Sequence, residues 1–116
     1  MKQQTRAELR EARECVEREQ EGIRELIARA NGVLFLLQEE AENAGSLSAV
    51  RPMADIEDDD EHVREWLRRL RRRERLCSRR IMELTEAERE LTWRMARAKL
   101  AARRASAQRS ESEDVL

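Results

Sequence analysis

The fold of this chain is decided by residues 56–105, which read IEDDDEHVREWLRRLRRRERLCSRRIMELTEAERELTWRMARAKLAARRA. Counted in steps of seven from Ile56, every position is apolar, and the last of them is Ala105. A second row lies four residues after each position of the first row from Val63 onward, and Glu74 and Glu88 interrupt it. Its apolar members are Leu67, Ile81, Met95 and Ala102. Rows that alternate in steps of four and three share one stripe of a helix, as in the seam of a coiled coil. This stretch therefore predicts a long helix that packs along its length against other helices.

A similar but weaker pattern precedes it and predicts a first helix over residues 5–45. Thr5 and Glu8 have the spacing of a capping box, which satisfies backbone N–H groups where a helix begins. Glu19 occupies one seam position and weakens the pattern. Gly32 follows Asn31 at a soft spot, but the apolar phase is the same on both sides, which favours a continuous or kinked helix over a break. The apolar positions of this first helix are Leu9, Ala12, Val16, Ile23, Leu26, Ala30, Val33, Leu37, Ala41 and Ala44.

The segments between and beyond the helices complete the predicted organisation. Residues 1–4 are expected to fray, residues 46–54 form the loop, and the second helix covers residues 55–105. Residues 106–116 are polar and rich in serine and acidic residues, and are predicted to be disordered. A short connection between two long helices favours an antiparallel pair. We therefore predict an all-α fold, in which two long helices form an antiparallel coiled-coil hairpin.

The register of the predicted hairpin follows from the position of its loop. A bend near Arg51 makes the numbers of facing residues add up to about 102. Residues 33–37 then lie opposite residues 66–70, and acidic residues of the first helix face basic residues of the second. The same register offsets Cys15 from Cys77 by roughly 15 Å, which is too far for a disulfide. Because the two-helix core is narrow and contains glutamates, we expect a partner or a second copy to complete a helical bundle.

Composition limits the classes of function that are open to this chain. Of its 116 residues, 42% are charged and 3% are aromatic, which leaves too little material for a thick globular core. The net charge of −1 provides no overall attraction to nucleic acid or to an anionic membrane. The N-terminal residues lack the apolar core of a signal peptide, and the longest uncharged run is about half of the ~20 residues that span a bilayer. We predict a cytoplasmic protein, with the nucleus as the alternative, that is not secreted and does not span a membrane.

Two apolar stretches and one basic block are the candidate partner-binding surfaces. Five consecutive apolar residues at 33–37 point in every direction around a helix, so they are either the buried centre of the hairpin or a docking site. The tryptophans lie off the central row, where they either cover the edge of the seam or anchor an interface. Residues 64–80 contain nine arginines and two glutamates. The candidate partner-binding residues are Val33, Leu34, Phe35, Leu36, Leu37, Trp66, Leu67, Leu70, Arg68, Arg69, Arg72, Arg73 and Trp93.

Catalytic and metal-binding patterns do not rise above background in this sequence. His62 is the single histidine and the sequence has no CxxC pair, so a zinc site would lack ligands. The acidic residues 55–61 do not have the spacing of an EF-hand calcium loop. We therefore expect no catalytic site, no cofactor and no bound metal. The C-terminal residues 103–106 and 110–114 match short kinase patterns, and residues 113–116 resemble a PDZ ligand.

The sequence predicts a non-enzymatic protein–protein interaction subunit, such as an adaptor, stalk, chaperone or scaffold component of a larger complex. Its partner would be another helical protein or a second copy, bound along the apolar seam, with the charged faces setting partner choice. The alternative is a nucleic-acid-associated helical protein that uses the arginines of residues 64–80 on phosphates. The outline resembles several coiled-coil families, including type III export stalk proteins and prefoldin-like or tethering-complex subunits, and the resemblance is limited to two helices and a loop.

Overall fold

The computed structural model describes residues 4–46 and 51–114. These residues form two α-helices and no strand: α1 is Arg6–Glu42 and α2 is Met53–Asp114. The helices run antiparallel, because residues near the end of α1 lie beside residues near the start of α2. The molecule measures 104 × 24 × 14 Å. The predicted all-α hairpin of two long helices is confirmed.

The helix ends are set by local chemistry. Thr5 has extended backbone angles, and its Oγ1 accepts a hydrogen bond of 3.1 Å from the backbone N–H of Glu8, as a helix N-cap does. At the other end of α1, the N–H of Asn43 donates to the carbonyl of Glu40 at 3.2 Å. Pro52 directly precedes α2, and its carbonyl accepts from the N–H of Asp55 at 3.1 Å. Helix α1 runs without a break through Gly32.

The far end of α2 differs from the sequence-based expectation. The apolar rows stop at Ala105, and a disordered tail was expected from residue 106, but α2 continues to Asp114. Residues 106–114 contain neither glycine nor proline, so nothing in them stops helical hydrogen bonding even though their apolar face has ended. The expected frayed residues 1–3, the loop residues 47–50 and the last two residues of the PDZ-like motif lie outside the described residues.

The core is a single seam between the two helices. Ile23, Leu70 and Cys77 form its central cluster, against which Val16 and Leu26 are partly buried. Along α2 the row in steps of seven is buried or half-buried from Ile56 to Leu91, as predicted. The buried apolar residues of the seam are Leu9, Ile23, Ala30, Leu37, Ile56, Leu67, Leu70, Cys77 and Leu84.

Polar contacts across the seam show a register close to the predicted one. Gln20 donates to Ser78 at 2.6 Å, and the Nε of Arg24 lies 2.9 Å from Glu74. The residue numbers of these pairs add up to 98 rather than to about 102, a shift of about one helical turn. The shift arises because α1 ends at Glu42 and α2 begins at Met53, so the bend is centred a few residues earlier than Arg51.

Two predicted seam positions of α1, Glu19 and Val33, are exposed, and the residues next to them, Gln20 and Leu34, are the ones that turn inward. The sequence pattern placed Glu19 on the seam, but Glu19 is exposed and its neighbour Gln20 is buried. Gln20 takes this position because its side-chain amide finds the hydroxyl of Ser78 across the seam, and a buried amide with a hydrogen-bond partner is tolerated in a core. Glu19 instead lies 3.6 Å from Arg73 at the rim.

Candidate protein-interaction surfaces

Ion pairs hold the two helices together at the end of the hairpin far from the loop. Glu88 accepts from Arg10 at 2.6 Å and from Arg13 at 2.9 Å. The hydrogen bond from Arg10 is the main reason why the pKa of Glu88 is lowered from its ordinary value. Glu88, one of the two glutamates that interrupt the second apolar row of α2, is therefore paired within the hairpin and does not require a further partner.

A second ionic contact closes the loop end. Arg51 donates to Glu40 at 2.7 and 2.9 Å and also donates to Asp59. Its hydrogen bond lowers the pKa of Glu40, and the two carboxylates raise the pKa of Arg51. The arginine at the start of α2 thus joins the last turn of α1 to the second turn of α2.

The five apolar residues at 33–37 are divided between the core and the surface. Leu37 is buried in the seam and Leu34 is half-buried, whereas Val33, Phe35 and Leu36 are exposed. Phe35 and Leu36 expose 61% and 62% of their surface. The hypothesis of a buried hairpin centre therefore fits Leu34 and Leu37, and the hypothesis of a docking site applies to the exposed residues Val33, Phe35 and Leu36.

Phe35 contributes to an open groove near the loop, which we call the loop-end groove. The groove has a volume of about 570 Å³. Residues 38–62 around it contain nine acidic side chains and one arginine, a net charge of −8, while Arg64 also lines the groove and pairs with Asp60 at 2.6 Å. Residues that line it include Leu34, Phe35, Met53, Ile56, Glu57 and Asp60.

Beyond Leu91, helix α2 has no partner among the described residues. Helix α1 begins at Arg6, which in the observed register lies level with Thr92, so residues 92–114 form an overhang about 34 Å long. Side chains are exposed at every position from 92 to 112. The seam pattern nevertheless continues along the overhang through Met95, Ala98, Ala102 and Ala105. This surface has the composition of a helix interface without the second helix.

The overhang also carries large apolar side chains off the seam, a basic stretch at residues 94–109 and three acidic side chains within residues 111–114. Trp93 exposes 66% of its surface and Leu100 exposes 49%. Residues 94–109 contain six basic side chains and no acidic one. An apolar surface with one sign of charge is suited to a partner of opposite charge.

The remaining candidate residues lie in the first third of α2 and differ in their surroundings. Leu67 and Leu70 are buried in the seam, so the closed hairpin occupies them, whereas Trp66 remains 41% exposed. Glu65 pairs with Arg68 at 2.6 Å and with Arg69 at 3.6 Å. The pair with Arg68 lowers the pKa of Glu65. Of the other two candidate arginines, Arg73 pairs with Glu19 and Arg72 is exposed.

The chemistry-bearing side chains are dispersed. Cys77 is buried and its pKa is raised, mainly because burial disfavours the thiolate, while Cys15 is an exposed thiol. His62 is exposed beside Asp58. Among the described residues no three ligand-type side chains are grouped in a way that could hold a metal ion. The described helices also include none with the length and apolarity needed to cross a bilayer.

The overhang was missed as a site by the sequence analysis, although a signal for it was present. The predicted helices of residues 5–45 and 55–105 differ in length by ten residues, and an antiparallel pair joined by a short loop must leave that excess uncovered. Trp93 was singled out, but as an isolated side chain rather than as part of a surface.

A scan against protein-family models, a search of curated proteins and a search of solved structures each found no match.

Proposed function

We propose that this chain is a non-enzymatic protein–protein interaction subunit that works by packing its overhang against another helix. One observation carries the proposal: on α2 the seam pattern continues for about two heptads beyond the level of Arg6, where α1 begins. A helix face that is apolar in the periodicity of a coiled coil and exposed in the isolated chain is typical of a surface that another helix covers.

The energetics favour occupation of this face. A fully buried methionine, leucine or valine side chain contributes about 1.5–3 kcal/mol relative to an exposed one. Met95 and Leu100 are each about half exposed, at 46% and 49%. Trp93, at 66%, offers the large apolar surface that dominates many protein interfaces. A helix laid on the seam face of the overhang would cover Met95. Trp93 and Leu100 lie about 200° and 140° around α2 from Met95, so a second helix would be needed to cover them.

Charge restricts which partners fit. The six basic side chains of residues 94–109 favour an acidic helix and disfavour a basic one, because like charges brought together in an interface cost several kcal/mol. The chain would therefore serve as an adaptor, stalk, chaperone or scaffold component whose partner is selected by charge and retained by apolar contact.

Site-specific photo-crosslinking in the native cell tests this proposal. A benzoylphenylalanine at position 95 lies on the seam face, and one at position 97 lies about 200° around the helix and serves as the matched control. We expect covalent adducts with a polypeptide at Met95 and far fewer at Arg97. Equal labelling at both positions, or no polypeptide adduct at Met95, would overturn the proposal.

Nucleic-acid binding is the second candidate, and one arrangement of residues favours it. Arg68, Arg72, Arg75 and Arg79 are exposed and recur in steps of four, three and four, so they follow one line on the outer face of α2. Fluorescence anisotropy with a short DNA duplex at 50 and 200 mM salt tests this candidate. Steeply salt-dependent binding that is lost in Arg72→Glu would support it, and no binding at 50 mM would exclude it.

A further inference from the structure

We propose that the partner of the overhang is the loop-end groove of a second copy of this chain, in a two-fold symmetric antiparallel dimer. This inference rests on the proposed function, because it names the helical partner that the overhang binds. Each copy would place its overhang on the other's groove, so the same contact would be made twice.

The grooves at the two ends of the hairpin lie along one strip of α2. Glu57 and Arg64 line the loop-end groove, and Thr92 and Lys99 line the groove along the overhang. Their positions on α2 differ by multiples of seven, so all four lie on one face of the helix. A third groove between them is lined by Thr85 and Thr92, and it belongs to the same series. One continuous strip, which winds with the twist of the hairpin, therefore carries both halves of the contact.

Charge and apolar surface are complementary between the two ends. The overhang has six basic side chains in residues 94–109, and the loop end has a net charge of −8 in residues 38–62. Phe35 and Met53 are exposed at the loop end, and Met95 is exposed on the overhang. Two overhangs placed against each other would instead bring like charges together, which disfavours a tail-to-tail dimer.

The lengths allow both contacts to form at once. Residue 103 is the middle of the overhang, and residue 58 is the middle of the groove's wall on α2. The two residues face each other when the two-fold axis passes beside α2 at the level of residues 80–82. The axis lies in the interface and is perpendicular to the long axis of the hairpin, and a symmetric contact of this kind closes without forming a filament. Arg103 and Arg104 then lie level with Glu57 and Asp58 of the other copy.

An independent feature of α2 agrees with this position of the axis. Met82 is the most exposed of the large hydrophobic side chains in the described chain, at 69%. It follows Arg75 and precedes Arg89 by seven residues, so it lies on a strip next to the groove-lining face. The axis passes within two residues of it, which places the two copies of Met82 beside each other. An exposed methionine at that point becomes an apolar contact between copies.

Light scattering coupled to size exclusion tests the assembly, using the full chain in reductant at micromolar concentrations. We expect twice the chain mass of 13.7 kDa, with an affinity that weakens as salt is raised. A monomer at 100 μM, or an assembly larger than a dimer, would overturn the inference. A monomer that still crosslinks to another polypeptide through position 95 would overturn the dimer and leave the proposed function standing.

Two neighbouring substitutions test the contact face. Phe35→Glu places a charge in the groove, and Leu36→Glu is the matched control, since the two residues are equally exposed but only Phe35 lines the groove. A loss of about 1.4 kcal/mol at each of two equivalent sites makes the dimer about 100-fold weaker. We expect this for Phe35→Glu and less than about a threefold change for Leu36→Glu, with helicity retained in both by circular dichroism. Equal weakening by both would show that this face is not the interface.

Disulfide trapping tests the direction of the two chains. In a Cys15→Ser background, Met82→Cys is expected to crosslink readily to itself across the axis under mild oxidation. Trp93→Cys is the control, because the two copies of residue 93 would lie roughly 38 Å apart along the dimer. Efficient crosslinking through Trp93→Cys without crosslinking through Met82→Cys would refute the antiparallel arrangement.

Discussion

Replacing Leu70 by alanine removes a side chain from the centre of the seam, and the expected cost follows from its burial. Leu70 is 2% exposed and packs in the central cluster with Ile23 and Cys77. The substitution deletes three carbon atoms, for a transfer loss of about 2.4 kcal/mol at roughly 0.8 kcal/mol per carbon. The cavity that remains adds to this loss, and we expect a total of about 3 kcal/mol.

Leu76→Ala provides the matched comparison, because it makes the same chemical change on the same helix at a site that is 52% exposed. About half of the transfer term applies there and no cavity forms, so we expect about 1 kcal/mol. Urea unfolding followed by helical circular dichroism measures both variants, and a single protein concentration keeps any contribution from association constant. If Leu70→Ala costs no more than Leu76→Ala, the stripe of steps of seven is not the stabilising core and the fold has been wrongly explained.

Three further outcomes are expected. The pKa of Glu88 is lowered in the folded chain, so its contribution to stability is complete above the unfolded pKa of 4.5 and is lost as the pH falls through the folded pKa. Glu88→Gln should therefore show a smaller drop in Tm between pH 7 and pH 3 than the parent chain. An equal drop would contradict the ion-pair assignment. A thiol reagent should label Cys15 rapidly and Cys77 slowly, since the latter is buried and its pKa is raised, and mass spectrometry of timed samples would reveal the opposite order if it occurred. Gly32→Ala should raise the free energy of unfolding by about 1 kcal/mol, because the added methyl group meets no atom within 4 Å in the middle of α1, and thermal unfolding would show a lower Tm if the glycine were needed there.

The part of the fold that could be predicted is the part set by repetition. In α2 the unbroken row from Ile56 identifies the buried face without reference to any other residue, and the burial of Leu70 and Leu84 follows from it. In α1 the rows of steps of seven through Glu19 and through Gln20 each contain three apolar residues, at 12, 26 and 33 and at 27, 34 and 41, so apolar content does not choose between them. The structure buries Gln20 rather than Glu19, because Ser78 lies opposite it. A pattern along one helix cannot show which polar side chain will meet a partner on the other.

The candidate surfaces were predictable to a smaller extent for a similar reason. The apolar segment at 33–37 and the tryptophans were recognisable from composition, but their exposure depends on the register between the helices. A shift of one turn changes which of these residues the other helix covers. It also decides which residue of α2 lies level with the start of α1. The overhang is a property of that relative length, so it becomes visible only when both helices are placed together.

The ionic contact at the loop end has a consequence for the order in which the hairpin forms. Arg51 bonds to residues only eight and eleven positions away, Asp59 and Glu40, so closing this contact costs little chain entropy. Each later turn of the seam then adds to a structure that is already aligned, and the two helices zip from the loop outward. The pairs of Glu88 with α1 close last and open first. Native-state hydrogen exchange should therefore be slow in the cluster around Ile23 and should quicken toward Leu9, in the first turn of α1, where the overhang of α2 begins.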